Sequence, residues 1–285
     1  HPNVKIFILT GNHDQSAFDD GFVKRLPKNV ILFSEGINCF ELDGVCFVGA
    51  DLTTVTRKQL NDIVWDTGNY NILIAHGDIG KNSIYGAIDL DMFFDKPIDY
   101  FALGHIHSFK IEGAARGYAA YSGCLEPRGY DETGQKGFVW IDTSILDRTK
   151  SIRFVPYATR QAFSIRLDIS DCVTASDVVK KAASFVDGTS VTSFDMVEFY
   201  LIGEIREDCV FTTEQIAQGL KPLLFDVKVK DLTKVKIDIE KIKNELSLKS
   251  QFIKTAEEKI KDPQLLNRVL RYGLNALNGE EIDSL

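Results

Sequence analysis

No apolar run in this chain approaches the roughly 20 residues that a membrane-crossing helix needs, so no membrane span is expected. No secretory leader is expected either, because His1-Pro2-Asn3 passes directly into a strand-like run. The five cysteines are odd in number and scattered, with none closely paired in sequence. That pattern argues against a disulfide framework and against cysteine metal ligation. It favours free thiols in a reducing, cytoplasmic setting. Positive charge is also scarce: 33 basic residues face 41 acidic ones, for a net charge of −8. That balance argues against a protein whose whole surface grips nucleic acid, but bound divalent cations would locally override it. Neither an internal repeat nor a low-complexity segment occurs. What is present is a 285-residue chain with 44% hydrophobic content, enough for a sizeable core in one large or two smaller domains.

Short apolar, β-branched runs dominate the first half. Val4 to Leu9 reads as a buried parallel strand. A short helix is expected from Ser16 to Leu26, then strands at Val30–Phe33, Cys39–Leu42 and Val45–Val48. Asp43-Gly44 between the last two is a hairpin signal. Arg57 to Val64 reads as helix, Asn71 to Ala75 as a buried strand, Ile88 to Phe94 as a helical turn and Ile98 to Leu103 as another strand. Strands at Phe109–Glu112, Tyr118–Tyr121, Gly137–Ile141 and Ile152–Pro156 follow. Together they suggest a layered α/β sandwich over residues 1–157.

The pattern changes near Tyr157. Residues 158–232 read as strand, helix, strand, helix and strand (162–167, 175–186, 195–202, 213–220, 223–229), an α+β module consistent with a split βαββαβ plan. Residues 233–285 read as charged amphipathic helices. Asp262 is placed as an N-cap, Pro263 in the first turn of the last helix and Gly279 at its end.

Four of the five histidines stand just past predicted strands: His13, His76, His105 and His107. They lie in three loops, Gly11-Asn12-His13-Asp14, His76-Gly77 and Gly104-His105-Ile106-His107. In open α/β sheets, sites form beyond the carboxyl ends of strands, so loops far apart in sequence can meet there. Neutral imidazole and amide oxygen suit manganese, iron or zinc. Glycines beside the ligands permit tight turns and close backbone approach. Asp14 is placed as an acceptor that fixes the His13 ring. A lone histidine after a strand is ordinarily just a satisfied polar residue. It is the three loops in this order that point to a metal centre.

Gly-Asn-His-Asp, Ala-His-Gly and Gly-His-x-His in series resemble the motifs of the calcineurin-like metallophosphoesterases. Tyr121-Ser122-Gly123-Cys124-Leu125-Glu126-Pro127-Arg128, with Asp131-Glu132 and Lys136-Gly137, resembles the bacterial SbcD-type DNA repair nucleases, partners of the SbcC-type ABC ATPase with long coiled coils. The tail at Ser247–Ile253 and Gly273–Leu277 is similar to the C-terminal helices of one branch of that family. The resemblance implies an αββα sandwich with an α+β cap and a helical partner-docking segment. It implies two divalent ions, manganese by family habit, with Asn12, His76 and His105 on one and His107 on the other. His13 and Asp14 would be catalytic. Lys81 and Arg128 are candidate substrate contacts. DNA and the ATPase would be partners, with a homodimer expected and no membrane.

The family's series also includes an Asp-x-His motif and an aspartate that bridges both ions. Neither occurs in this chain. The expectation is therefore that the N-terminal part of the native domain is missing, that at most one ion binds well, and that nuclease activity is low. Two alternatives carry the same motifs: a phosphoesterase for small phosphodiesters or nucleotides, and a non-catalytic scaffold for DNA and the ATPase. Trp65 and Trp140 are expected in the core. Lys136 is expected either at DNA phosphate or in a solvated ion pair. Lys228, Lys230, Lys234, Lys236, Lys241 and Lys243, interleaved with acids, read as a solvated face rather than a DNA-facing stripe.

Overall fold

The computed structural model describes residues 3–14, 18–33, 36–52, 54–84 and 86–279. Its centre is a six-stranded mixed sheet in the order Ile37–Leu42, Val45–Ala50, Tyr70–His76, Tyr100–Gly104, Gly117–Tyr121, Lys110–Ala114. The inner four strands run parallel, and each edge strand is the antiparallel arm of a hairpin. Asp43 and Gly44 both take positive φ at one turn, 50° and 77°, as a two-residue turn between right-twisted strands requires.

Alternation along the strands divides the core. Leu73, Ala75, Phe101, Leu103 and Tyr121 face one side, under Leu60, Ile88, Phe93 and Ile98. Tyr70, Ile72, Tyr100 and Ala120 face the other, covered by Val139, Ile141 and Ile152 of the Gly137–Ile141/Ile152–Pro156 hairpin. Full burial of side chains such as Leu73 and Phe101 stabilises the fold by about 1.5–3 kcal/mol each. On that second side Phe7 stacks on Phe47 with ring centroids 4.3 Å apart. The contact docks the parallel pair Ile6–Leu9 and Val30–Phe33 onto the central sheet. The expected α/β sandwich is therefore the architecture of this part of the chain.

Several boundaries differ from the sequence expectation. The helix at Arg57 ends at Asn61, capped by Asp62, and Val64 is 93% exposed. Ala87–Ile88 is a short strand, and only Leu90–Phe93 forms a 3-10 turn. Of the helix expected from Ser16 to Leu26, Asp20–Val23 is helical, and Ser16 lies outside the described residues. Trp65 is partly buried against the core as expected. Trp140 is not: it is 51% exposed, on the outward face of its strand, with the Arg153 guanidinium 5.7 Å from its ring.

The next module also departs from expectation. Ala162–Asp168, Met196–Ile202 and Asp226–Asp231 are all parallel and adjacent in chain order. The split βαββαβ plan is thus replaced by a βαβαβ unit. Each return passes through a helix, Ala175–Asp187 or Thr213–Leu220, and so brings the chain back to the same end of the sheet. The last two strands are prolonged by Glu204–Ile205 and Lys234–Val235, which pair in parallel beyond Gly203 (φ 108°). Both helices begin with a reciprocal capping box, Thr174 with Asp177 and Thr212 with Gln215. Ile165, Leu167, Val197, Phe199 and Leu201 form the core under them.

The C-terminal helices Leu248–Lys259 and Pro263–Asn278 pack through Ile253, Ala256, Leu270 and Leu274. Asp262 caps the last helix, Pro263 stands in its first turn, and Gly279 closes it at φ 76°. Gly273 is needed here for space, since a Cβ at that position would lie 2.1 Å from Cζ of Phe252. Among the described residues no helix is long and apolar enough to cross a membrane.

Candidate metal centre

His76 is the last residue of its strand and stands in register with Gly104, the last residue of the neighbouring parallel strand. The Gly104-His105-Ile106-His107 loop therefore leaves the sheet beside His76. The Gly11–Asp14 loop leaves the end of Ile6–Leu9 and reaches the same imidazole. A Cβ on Gly11 would lie 2.6 Å from Cε1 of His76, and one on Gly104 would lie 2.8 Å from Nδ1. Two backbone segments thus approach the ring at distances that side chains would forbid. This is why glycine precedes both Asn12 and His105.

Asn12 Oδ1 is 2.8 Å from His76 Nε2. At that distance the pair is a hydrogen bond when Nε2 carries a proton. The same two atoms would be donors to a divalent ion in the proton's place. The His105 ring meets the His76 ring edge-on, with centroids 5.3 Å apart. His105 itself is held at φ 104°, a region that non-glycine residues rarely enter and that costs about 1–3 kcal/mol. Burial pushes the His76 imidazole toward neutrality, and the charges of His105, His107 and His13 push the same way, opposed by Asp14. A neutral ring is the form that ligates metal.

His105 Nε2 lies 3.4 Å from Oδ1 of Asp78, whose other oxygen accepts from Ser83 Oγ at 2.7 Å. The turn after His76 is pinned by Tyr121, whose hydroxyl donates to Gly77 O at 2.8 Å and accepts from Ile79 N at 2.9 Å. Neither Asp78 nor Tyr121 was given a role in the site from sequence, although Tyr121 opens the stretch 121–128 that carries the resemblance. Tyr121 lies in a different strand, and no local pattern relates it to the turn it fixes.

His13 is exposed at the loop tip. The Asp14 carboxylate accepts from Gly11 N at 3.0 Å and so closes its own loop, where sequence reasoning had aimed it at His13. Asp14 N also donates to Gly11 O at 3.1 Å, so the carboxylate completes a turn that the backbone already closes.

His107 is held separately. Its Nδ1 is 2.7 Å from Glu132 Oε1, and its carbonyl accepts from Lys136 Nζ at 2.8 Å. Glu132 also accepts from Arg128 N at 2.9 Å and from the Cys124 thiol at 3.3 Å. Burial raises the Glu132 carboxyl, but these donors and the Arg128 charge outweigh it and hold the group below the usual carboxylate range. Lys136 is only 2% exposed, which removes it as a phosphate contact or a solvated pair. Arg128 lies beside His107. Lys81 is placed elsewhere, paired with Asp91 at 3.3 Å in the wall of a cavity of about 330 Å³ that Arg57 and Asp89 also line.

Asn12, His76 and His105 thus offer amide oxygen and imidazole donors suited to one borderline divalent ion. His107 is engaged instead by Glu132 and Arg128. Among the described residues no three imidazole, thiol or carboxylate groups close around one point.

No family model matches the chain. The DNA double-strand break repair protein Mre11 of Methanocaldococcus jannaschii is 28% identical over 160 residues, covering 50% of this chain and 43% of that protein. The chain therefore aligns with less than half the length of that relative, and the likeness is to a DNA repair protein.

Proposed function

We propose that this chain carries the metal-dependent phosphodiesterase site of a DNA nuclease in double-strand break repair, of the SbcD type. The observation that carries the reading is the 2.8 Å approach of Asn12 Oδ1 to His76 Nε2 at the carboxyl ends of parallel strands, with His105 alongside. The similarity to a named double-strand break repair protein supports DNA as the substrate.

Asn12, His76 and His105 would hold one divalent ion, manganese by family habit, and His107 would be a ligand to another. Bound ions of this kind supply Lewis acidity toward a phosphoryl oxygen and a water of lowered pKa. His13, exposed at the mouth of the site, is suited to deliver a proton to the leaving oxygen or to stabilise charge on it. Arg128, beside His107, is assigned to a phosphate contact. The chain supplies no Asp-x-His sequence, so its own turnover is expected to be slow.

We assign residues 1–157 to the phosphoesterase, 158–232 to a cap and 233–285 to docking on an ABC ATPase, in a cytoplasmic homodimer. Leu246, Leu248 and Leu265 on the helical segment are left in solvent, which supports the docking role. The test is hydrolysis of a nitrophenyl phosphodiester with and without manganese, in competition with double-stranded DNA. Slow manganese-stimulated turnover, suppressed by DNA and lost in His76→Ala, is the expected result. DNA binding without any metal-stimulated hydrolysis above the His76→Ala background would replace the enzyme by a scaffold.

A further inference from the structure

Residues 126–132 touch both His107 and the cap module. Arg128 N donates to Glu132 Oε2 at 2.9 Å, and Glu132 N donates to Gly129 O at 3.2 Å, so the turn is closed on itself. Arg128 Nη2 lies 2.8 Å from each ring nitrogen of His107 and 3.3 Å from Glu132 Oε1. The Arg128 side chain is nevertheless 65% exposed and so open to a phosphate.

Tyr130 stands between Arg128 and Glu132 in sequence, and its hydroxyl bonds to the cap. It donates to Asp226 Oδ2 at 2.7 Å, across 96 residues of chain. Asp226 opens the last parallel strand of the cap, in register with Met196, and its other oxygen accepts from Val227 N at 3.0 Å. Lys228 of the same strand places Nζ 6.0 Å from the centroid of the Tyr130 ring. Burial and the neighbouring Asp226 carboxylate push the Tyr130 phenol up, so it keeps the proton it donates.

The turn has a second tie near the cap. Glu126 Oε1 accepts from Thr159 N at 2.7 Å, in the link between the two parts of the chain. Tyr157 N and Ala158 N donate to Lys136 O at 3.0 and 3.2 Å, and Gln161 N donates to Asp195 Oδ1 at 2.6 Å. The link is thus bonded to the phosphoesterase part before Arg160 and to the cap after it. The Tyr130–Asp226 bond then joins the turn directly to a cap strand.

We propose that Tyr130 and Asp226 are positioning residues for Arg128. Through their hydrogen bond the cap holds the 128–132 turn, so that the guanidinium stands beside His107 ready for a backbone phosphate of DNA. This rests on reading Arg128 as a phosphate contact. A cation on a turn that is already fixed has less freedom to lose on binding than one on a loose turn.

The test is binding of a fluorescein-labelled DNA duplex to the full chain, by anisotropy over a range of salt. Amide hydrogen exchange of residues 126–132 is followed on the same chains. Arg128→Gln should lower the slope of log affinity against log salt by about one. Tyr130→Phe changes no charge, yet it should weaken binding, lower the slope toward the Arg128→Gln value and speed exchange of the Arg128 and Glu132 amides. Asp226→Ala should do the same. Asp226→Asn loses the same charge but keeps an acceptor oxygen, and should stay near wild type. In the Arg128→Gln background, Tyr130→Phe should move the slope no further. Unchanged exchange in Tyr130→Phe overturns the proposal even if Asp226→Ala fails to fold. So does a slope that Arg128→Gln lowers and Tyr130→Phe does not. An equal loss from Tyr130→Phe with and without Arg128 also overturns it, by putting Tyr130 itself on DNA. If Arg128→Gln leaves the slope at the wild-type value, the phosphate reading fails, and amide exchange alone decides whether the cap holds the turn.

Discussion

The imidazole of His76 fills the space that a side chain on Gly104 would need. The two residues are register partners across adjacent parallel strands, and a Cβ on Gly104 would stand 2.8 Å from His76 Nδ1. The metal-ligand candidate and the glycine before the next candidate are thus one packing unit. Conservative enlargement of the glycine should be felt at the site before it is felt in the fold.

Gly104→Ala is expected to displace the His76 ring and to cost about 1–3 kcal/mol of stability through overpacking. Denaturant unfolding gives the second quantity, and metal titration of the folded variant gives the first. Unchanged metal affinity in Gly104→Ala would mean that the ring contact does not position the ligand.

Calorimetric titration with manganese should show one well-bound ion per chain, because Asn12 and His76 meet with His105 alongside while His107 is engaged by Glu132 and Arg128. At about one hundred times its dissociation constant, such an ion adds roughly 2.7 kcal/mol to stability. Chelation should reverse the gain, and His76→Ala should abolish it. Two equally tight ions in this chain would contradict the assignment.

Glu198 should make the cap module acid-sensitive. Burial pushes its carboxyl up, but Tyr200, Lys230 and Lys228 donate to it, and together they hold it below the ordinary value. Lys230 Nζ is 2.9 Å away and Tyr200 Oη 2.7 Å. With the folded pKa depressed, the stabilisation is fully present above the unfolded value near 4.3 and is lost as pH falls through the lower folded value. Both lysines keep about half their side chains in water, so the effect is on the order of 1 kcal/mol. The stability gap between wild type and Glu198→Gln, followed by unfolding from neutral to acid pH, should close in that window and not above it.

Lys136→Met should destabilise the chain by about 1–3 kcal/mol, because it takes the charged donor from the His107 carbonyl and leaves the weak Cys124 thiol contact at 3.6 Å. It should leave the salt dependence of DNA binding unchanged. A lysine on phosphate contributes to that slope, and this one is buried away from solvent. A shallower slope in the variant would return Lys136 to the DNA surface.

The basic run from Lys228 to Lys243 was legible as a solvated face, and its ion pairs bear that out, although only Glu240 among the partners belongs to the run itself. Lys228 and Lys230 pair with Glu198, Lys241 with Glu207, and Lys243 with Glu240 and Glu257. Trp140 and Lys136 exchanged their expected places. A strand's two faces are equivalent in a sequence until the covering layer is known, and a long lysine stem can be buried if its ammonium finds a carbonyl.

Local chemistry in the sequence determined the strand cores, the Asp43-Gly44 turn, the caps of the last helix and the three loops that bear histidines. Each of these rests on interactions within a few residues. Tertiary structure alone decided that His76 and Gly104 stand in register, and that Tyr121 braces the turn after His76. It also decided that Glu132 and Arg128 meet at the His107 ring. Those relationships join residues on different strands and loops, where distance along the chain carries no information about distance in space, and only the packed sheet brings the partners together.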